Sequence, residues 1–78
     1  MPTILEVNGY RVFFYSNENN EPIHVHIAKG GAAAKWWLKP GVREEYSYGF
    51  TPKERKRIGE IVRENSQLIK QKWNEYFG

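Results

Sequence analysis

The dipeptide Asn8-Gly9 lies between two runs of β-branched and aromatic residues and restricts the fold more than any other feature. Tight two-residue hairpin turns require positive φ, which Asn-Gly accepts readily. Residues 3–7 and 10–15 are therefore predicted to form two antiparallel strands. The turn sets four opposed pairs: Val7–Tyr10, Glu6–Arg11, Leu5–Val12 and Ile4–Phe13.

Gly30-Gly31 predicts a second hairpin, between strands at 24–28 and 32–38. Alternate residues of a strand point to opposite sides of the sheet. One side is apolar and is the predicted core: Val25, Ile27, Ala34 and Trp36. The other side is polar apart from one indole: His24, His26, Lys35 and Trp37. The predicted register pairs Lys29 with Ala32, Ile27 with Ala34, His26 with Lys35, Val25 with Trp36, and His24 with Trp37.

The rest of the chain predicts a fifth strand and a helix. Residues 42–48 form the fifth strand, with Arg43 on the face opposite Tyr46 and Tyr48. The segment from Thr51 to Glu54 is a capping box with proline at the first helical position. Apolar residues continue at helical spacing to the end of the chain, so one long helix is predicted. The apolar stripe lapses near Asn65-Ser66, where any bend is expected.

Size and composition restrict the class of protein. The chain has 78 residues and no cysteine, which favours a single domain over 1–78 and excludes disulfides and thiolate zinc sites. No apolar run is long enough to span a membrane, so a cytoplasmic protein is expected. The predicted architecture is α+β: an antiparallel sheet of four to five strands, built from hairpins and packed on one long C-terminal helix.

The net charge of +3 belongs to the C-terminal part, because residues 1–51 contain equal numbers of basic and acidic side chains. It concentrates in four residues that we call the basic helix start: Lys53, Arg55, Lys56 and Arg57. These cations are candidates for binding the phosphates of nucleic acid, or an acidic protein. The alternative is a solvated helix face balanced by Glu54 and Glu60.

His24 and His26 are the only histidines, and their spacing in a strand places both on one face. Two imidazoles can chelate a metal ion, but a third ligand is required, from Glu18, Glu21 or Glu45. Acid–base catalysis on a phosphodiester is the second possibility, with Lys29 or Lys35 nearby. A third possibility is that the histidines, Lys35 and Trp37 form a surface that recognises a ligand or partner. A fourth is that they are polar residues of a solvent-facing strand without a functional role. With only two strong ligands, no metal or other cofactor is expected.

Aromatic residues exceed what one core face needs. If Phe14 and Trp36 face the helix, then Phe13, Tyr15 and Trp37 lie on the opposite side of the sheet. Exposed apolar patches usually mark interfaces, which predicts homodimerisation through this side. The alternative is that the loop at 16–22 covers it.

Several segments together resemble the domain-of-unknown-function family 4160. They are MPTILEVNGYRVFFYSNE, EPIHVHI, AKWWL, GFTPKE and WNEYFG. The family's Pro-Pro-His-x-His pattern matches at Pro22, His24 and His26, with Ile23 in place of the second proline. Many relatives have a histidine in the preceding loop, where this chain has Asn19. The resemblance implies a small prokaryotic protein of a toxin–antitoxin-like or regulatory gene pair.

The leading hypothesis is therefore a non-enzymatic module that binds a protein partner or nucleic acid. Its candidate binding residues are His24, His26, Lys35 and Trp37 together with the basic helix start. The competing hypothesis is a metal-dependent or histidine-based enzyme, such as a nuclease, with His24, His26 and Lys35 as its candidate catalytic residues.

Overall fold

The computed structural model describes residues 3–15 and 20–78. Five strands precede two helices: β1 (Thr3–Val7), β2 (Tyr10–Phe13), β3 (His24–Lys29), β4 (Ala32–Trp37), β5 (Arg43–Tyr48), α1 (Pro52–Glu64) and α2 (Ser66–Phe77). The sheet is antiparallel, in the order β1-β2-β3-β4-β5. The α+β prediction is confirmed, with five strands. No helix among these residues combines the length and apolar character needed to cross a membrane.

Both predicted hairpins form. Asn8 and Gly9 have φ values of 52° and 83°, as a turn with two positive φ angles requires. All five predicted pairs between β3 and β4 are confirmed. The prediction for β1 and β2 is wrong at one pair, because a bulge between Thr3 and Leu5 makes Thr3, not Ile4, the partner of Phe13.

A second irregularity lies between β4 and β5. Tyr46 pairs with Lys35, but the next pair joins Glu44 to Trp36, so Glu45 is an extra residue in β5. This bulge places Arg43 on the same face as Tyr46 and Tyr48, whereas strict alternation predicted the opposite face. A sequence pattern of period two cannot locate such an insertion, because it results from the pairing of two strands.

The core lies between the helices and one side of the sheet, which we call the inner face. The predicted core residues Val25, Ile27, Ala34 and Trp36 all belong to it. The helices contribute Ile58, Ile61, Val62, Ile69 and Trp73. The condition that Phe14 and Trp36 face the helices is met, since both are buried in this cluster.

The helical segment is interrupted at Asn65, so the break expected near Asn65-Ser66 produces two helices instead of one continuous helix. The Asn65 side-chain amide donates to the carbonyl of Ile61 at 2.8 Å, and its backbone amide donates to the same oxygen at 3.1 Å. Asparagine side chains compete in this way for backbone groups within helices. The chain resumes helical bonding at once, since Ile69 donates to the Asn65 carbonyl.

The predicted capping box starts α1. The Thr51 hydroxyl accepts from the Glu54 amide at 3.1 Å, and the Glu54 carboxylate accepts from the Thr51 amide at 2.9 Å. The hydrogen bond from the Thr51 backbone holds the pKa of Glu54 below its ordinary value. The contribution of this carboxylate to stability is therefore complete above the ordinary pKa and is lost as the pH falls through the lowered pKa.

Thr51→Ala is expected to lower the free energy of unfolding by about 0.5–2 kcal/mol, because one amide of the first turn loses its acceptor. Urea denaturation at neutral pH measures this difference. Thr51→Ser is the matched control, since it retains the hydroxyl and most of the stability. Equal losses in the two variants would show that the hydroxyl is not the cause.

Candidate functional site

Opposite the inner face is a side of the sheet that no helix of the described residues crosses, although Trp73 of α2 reaches its edge at His24, and we call this side the outer face. The loop at 16–22, the alternative cover for this side, lies partly outside the described residues. Strand register arranges its side chains in three rows. The first row is Glu6, Arg11, Ala28, Ala33 and Tyr48. The second is Thr3, Phe13, His26, Lys35 and Tyr46. The third contains His24, Trp37 and Arg43. Four sequence-predicted candidates, His24, His26, Lys35 and Trp37, thus lie together, as alternation predicted.

The two histidines are buried, and the expectation of a solvent-facing strand is wrong. His24 has 0% and His26 has 8% of its surface exposed. The ring of His26 stacks on Phe13 at 5.6 Å between centroids and contacts Tyr15 at 4.7 Å. Alternation predicted which face the imidazoles share, but large rings from adjacent elements determine their burial.

His24 is enclosed by rings from β4 and α2. Trp37 and Trp73 lie 5.3 Å and 5.2 Å from it between centroids. Its Nδ1 lies 2.9 Å from the Pro22 carbonyl oxygen, which only accepts, so this nitrogen donates a proton to the bond. The ring is thereby fixed in one orientation, and the substrate of a reaction has no exposed His24 surface to contact.

Polar side chains lie beside this pair of histidines. Lys35 Nζ donates to Glu21 Oε1 at 3.1 Å and lies 4.5 Å from the Trp37 ring centroid. Glu21 Oε1 is also 3.7 Å from His24 Nδ1. The Trp37 indole donates to Glu45 at 2.7 Å. Lys35, Trp37 and both carboxylates are therefore linked by contacts within the protein.

The described residues hold no cluster of three or more histidine and carboxylate side chains suited to a metal ion. Of the predicted third ligands, Glu45 accepts from Trp37, and Glu21 lies on the Nδ1 side of His24, where the Pro22 carbonyl accepts the proton. Glu18 and the loop position Asn19 lie outside the described residues. A metal site at His24 and His26 stays a prediction.

Lys29 does not lie beside the histidines, contrary to one sequence-based alternative. It pairs with Ala32 at the end of β3, and its Nζ lies 4.6 Å from the centroid of Tyr10, a core residue. The reason is the separation of three residues from His26, which places the two side chains on opposite faces. Lys35 is the cation that accompanies the histidines.

The basic helix start is partly neutralised. Arg55 donates to both carboxylate oxygens of Glu44, at 2.6 Å and 3.0 Å, which raises the pKa of its guanidinium. Arg57 lies 3.3 Å from Glu60 and 3.8 Å from Glu64. Lys53 and Lys56 form no ion pair with any residue in the described part of the chain. The predicted balance by Glu60 is observed, whereas Glu54 caps the helix.

Sequence reasoning did not select Tyr46 and Tyr48 as site residues, although both rings are exposed on the outer face. Tyr48 is 73% and Tyr46 is 47% exposed. Two tyrosines two residues apart in a polar strand were the available signal. Tyr46 pairs with Lys35 and Tyr48 pairs with Ala33, and this observed register places both tyrosines on the same face as Trp37.

One family model matches residues 9–74 and is described as "Domain of unknown function (DUF4160)". No curated protein matches the chain. No solved structure matches it either. The family description assigns no activity, and it gives no support to a toxin–antitoxin or regulatory role.

Proposed function

Because the chain belongs to the family of domain of unknown function DUF4160, whose description assigns no activity, we propose its function from the outer face: a non-enzymatic module that binds another protein. One observation carries the proposal. Tyrosine and tryptophan side chains remain exposed or half-buried across a sheet face that no helix crosses in the described part of the chain: Tyr15, Trp37, Tyr46 and Tyr48.

The residue types favour a protein interface. Tyrosine, tryptophan and arginine are enriched at interfaces and dominate their binding energy, because each presents a large contact area with a polar end. Tyr48 and Arg11 belong to the same row of the outer face. The guanidinium carbon of Arg43 lies 5.8 Å from the centroid of the Trp37 ring. An exposed patch of this kind on a small protein usually marks a site of association.

The charge distribution favours protein over nucleic acid as the partner of this face. Each cation has an acidic neighbour: Arg11 faces Glu6, Lys35 contacts Glu21, and Arg43 lies 4.0 Å from Glu45. Binding of phosphate backbones requires an excess of cations that releases counterions. A face without net charge provides little of that energy, whereas protein surfaces of mixed charge complement it.

The burial of the histidines supports a non-enzymatic role. A general base must approach the proton that it abstracts to hydrogen-bond distance. His24 is enclosed by Trp37 and Trp73, and Phe13 and Tyr15 contact the ring of His26. The pair fills the space between the aromatic rings of the outer face and so holds Trp37 and Tyr15 in place.

Site-specific photo-cross-linking tests the proposal. Tyr48→p-benzoylphenylalanine, expressed in cells that contain the chain naturally, is expected to form a covalent adduct with protein on irradiation. Tyr76→p-benzoylphenylalanine is the matched control, because Tyr76 is 48% exposed but belongs to α2. Its adduct yield is expected to be at least about tenfold lower, because the proposed partner occupies the outer face and leaves α2 uncovered.

Three outcomes would contradict the proposal: no protein adduct at position 48, equal adducts at 48 and 76, or an adduct at 48 that nuclease digestion removes. A probe at Lys56 distinguishes the nucleic-acid hypothesis, because this lysine is exposed at the basic helix start. A nuclease-sensitive adduct there, without a protein adduct at 48, would favour nucleic acid as the partner.

A further inference from the structure

We infer that the protein bound by the outer face is a second copy of this chain, packed face to face about a two-fold axis. The inference rests on the proposed function and names its partner. It is based on a projecting side chain and a hollow, which both lie in the first row of the outer face. In an isologous contact, both features must be present on one surface, because each copy supplies both.

Tyr48 is the projection. It is 73% exposed and pairs with Ala33, which is also exposed. Ala33 in turn pairs with Ala28. Neither alanine has side-chain atoms beyond Cβ, so the face is low over the centre of this row and high at its β5 end.

The hollow suits an aromatic ring. Two sheets that pack face to face lie about 10 Å apart, and their side chains interdigitate. A ring therefore requires small residues opposite it, and an alanine pair requires a large side chain to avoid a void. A two-fold axis places Tyr48 of each copy over Ala28 and Ala33 of the other, so both requirements are met twice.

Electrostatics permit the contact. The cations of this face have acidic neighbours, as described above, so two copies approach without net repulsion. A face with an excess of either charge would repel its own copy. The positive charge of the chain lies instead on the helical part, where α1 packs against the inner face.

The size of the sheet predicts a weak dimer. Because Tyr48 belongs to the edge strand β5, its placement over Ala28 and Ala33 of the other copy overlaps only β3, β4 and β5 of the two sheets. These three strands lie about 4.8 Å apart and rise about 3.3 Å per residue over six residues each, so they cover roughly 290 Å² in plan. A standard interface buries about 800 Å² per partner. We therefore expect a dissociation constant in the micromolar range, so the purified chain changes from monomer to dimer within accessible concentrations.

Sedimentation equilibrium on the full chain, from about 1 μM to about 1 mM, tests the inference. The wild type is expected to change in mass from one chain to two. Tyr48→Ala removes the projection, and Ala33→Arg fills the hollow at an exposed position. Each is expected to raise the dissociation constant at least about tenfold, because Tyr48→Ala removes the ring that enters the hollow and Ala33→Arg leaves no space for that ring.

Two controls make the result specific. Tyr76→Ala removes an aromatic side chain from α2, and that side chain is as exposed as Tyr46 of the outer face. This variant is expected to leave the dissociation constant unchanged. Circular dichroism, recorded at a concentration below the wild-type dissociation constant so that both proteins are monomeric, must show the same melting transition for wild type and Ala33→Arg. A wild type that is monomeric throughout, or a dimer that neither outer-face variant weakens, would overturn the inference.

Cross-linking of mixed isotopes separates this inference from the proposed function. Equal amounts of ¹⁵N-labelled and unlabelled chain are mixed, each with the photoreactive group at position 48. Irradiation is expected to give covalent dimers that join one labelled chain to one unlabelled chain. If the chain is monomeric and position 48 forms an adduct with a different protein, the second-copy inference fails and the proposed function stands. If position 48 forms no protein adduct, both fail.

Discussion

Trp73→Ala is expected to lower the free energy of unfolding by about 3–5 kcal/mol, the range for removal of a buried large aromatic side chain. Trp73 is buried, and its ring lies 4.4 Å from Phe77, 5.6 Å from Phe14 and 5.2 Å from His24 between centroids. It thus joins α2 both to the core and to the candidate site. Urea denaturation followed by circular dichroism measures the loss.

This loss is large for a small domain, whose total stability is about 5–15 kcal/mol. Trp73→Phe is the second variant, because it retains a ring in the same place and is expected to fold with a smaller loss. In that variant the NMR signals of the His24 ring should shift, since the indole beside it has changed.

Tyr76→Ala provides the comparison within α2. Its ring also contacts Phe14, at 5.3 Å, but half of the residue is exposed. Truncation of Tyr76 is therefore expected to lower the free energy of unfolding much less than truncation of Trp73, because it removes less buried apolar surface. Similar losses at the two positions would contradict the assignment of Trp73 as the anchor of α2.

Gly59→Ala is expected to destabilise the protein by about 1–3 kcal/mol, although alanine favours a helix over glycine by about 1 kcal/mol. A Cβ at this position would lie 2.9 Å from Cη2 of Trp36 and 3.1 Å from Nη1 of Arg63. The indole is buried and has little room to move. For a chain of this size, the melting temperature should fall by about 4–8 °C for each kcal/mol lost.

A double-mutant cycle isolates the steric cause. Trp36→Phe removes the outer ring of the indole, so Gly59→Ala in that background should become neutral or stabilising through its helix propensity. Gly31→Ala is a control outside the helix, because its Cβ would meet nothing within 4 Å. The same destabilisation by Gly59→Ala in both backgrounds would exclude the contact with Trp36 as its cause.

Features that depend on a few neighbouring residues were predictable from the sequence. The turn at Asn8-Gly9 requires two positive φ angles, and the cap of α1 requires a hydroxyl and a carboxylate three residues apart. Each condition is satisfied by residues close together in the chain. The period of two also predicted that His24, His26, Lys35 and Trp37 share one face.

Features that depend on contacts between distant segments were not predictable in the same way. The burial of His24 depends on Trp73, which α2 brings to the end of β3. The pairing of Arg55 with Glu44 depends on the packing of α1 against the sheet. Alternation specifies the direction of a side chain, but it contains no information on what a later segment places over it.

Turn geometry, capping and periodicity act over short distances, so the hairpins, the register of β3 and β4, the helix start and the apolar inner face follow from the amino-acid sequence. The exposure of each outer-face residue, in contrast, depends on how the strands and helices pack together. The bulge at Glu45 places Arg43 on the same face as Tyr46 and Tyr48, and rings from neighbouring strands enclose the histidines. Both result from the packing of whole elements, whose energy is shared among residues far apart in the chain.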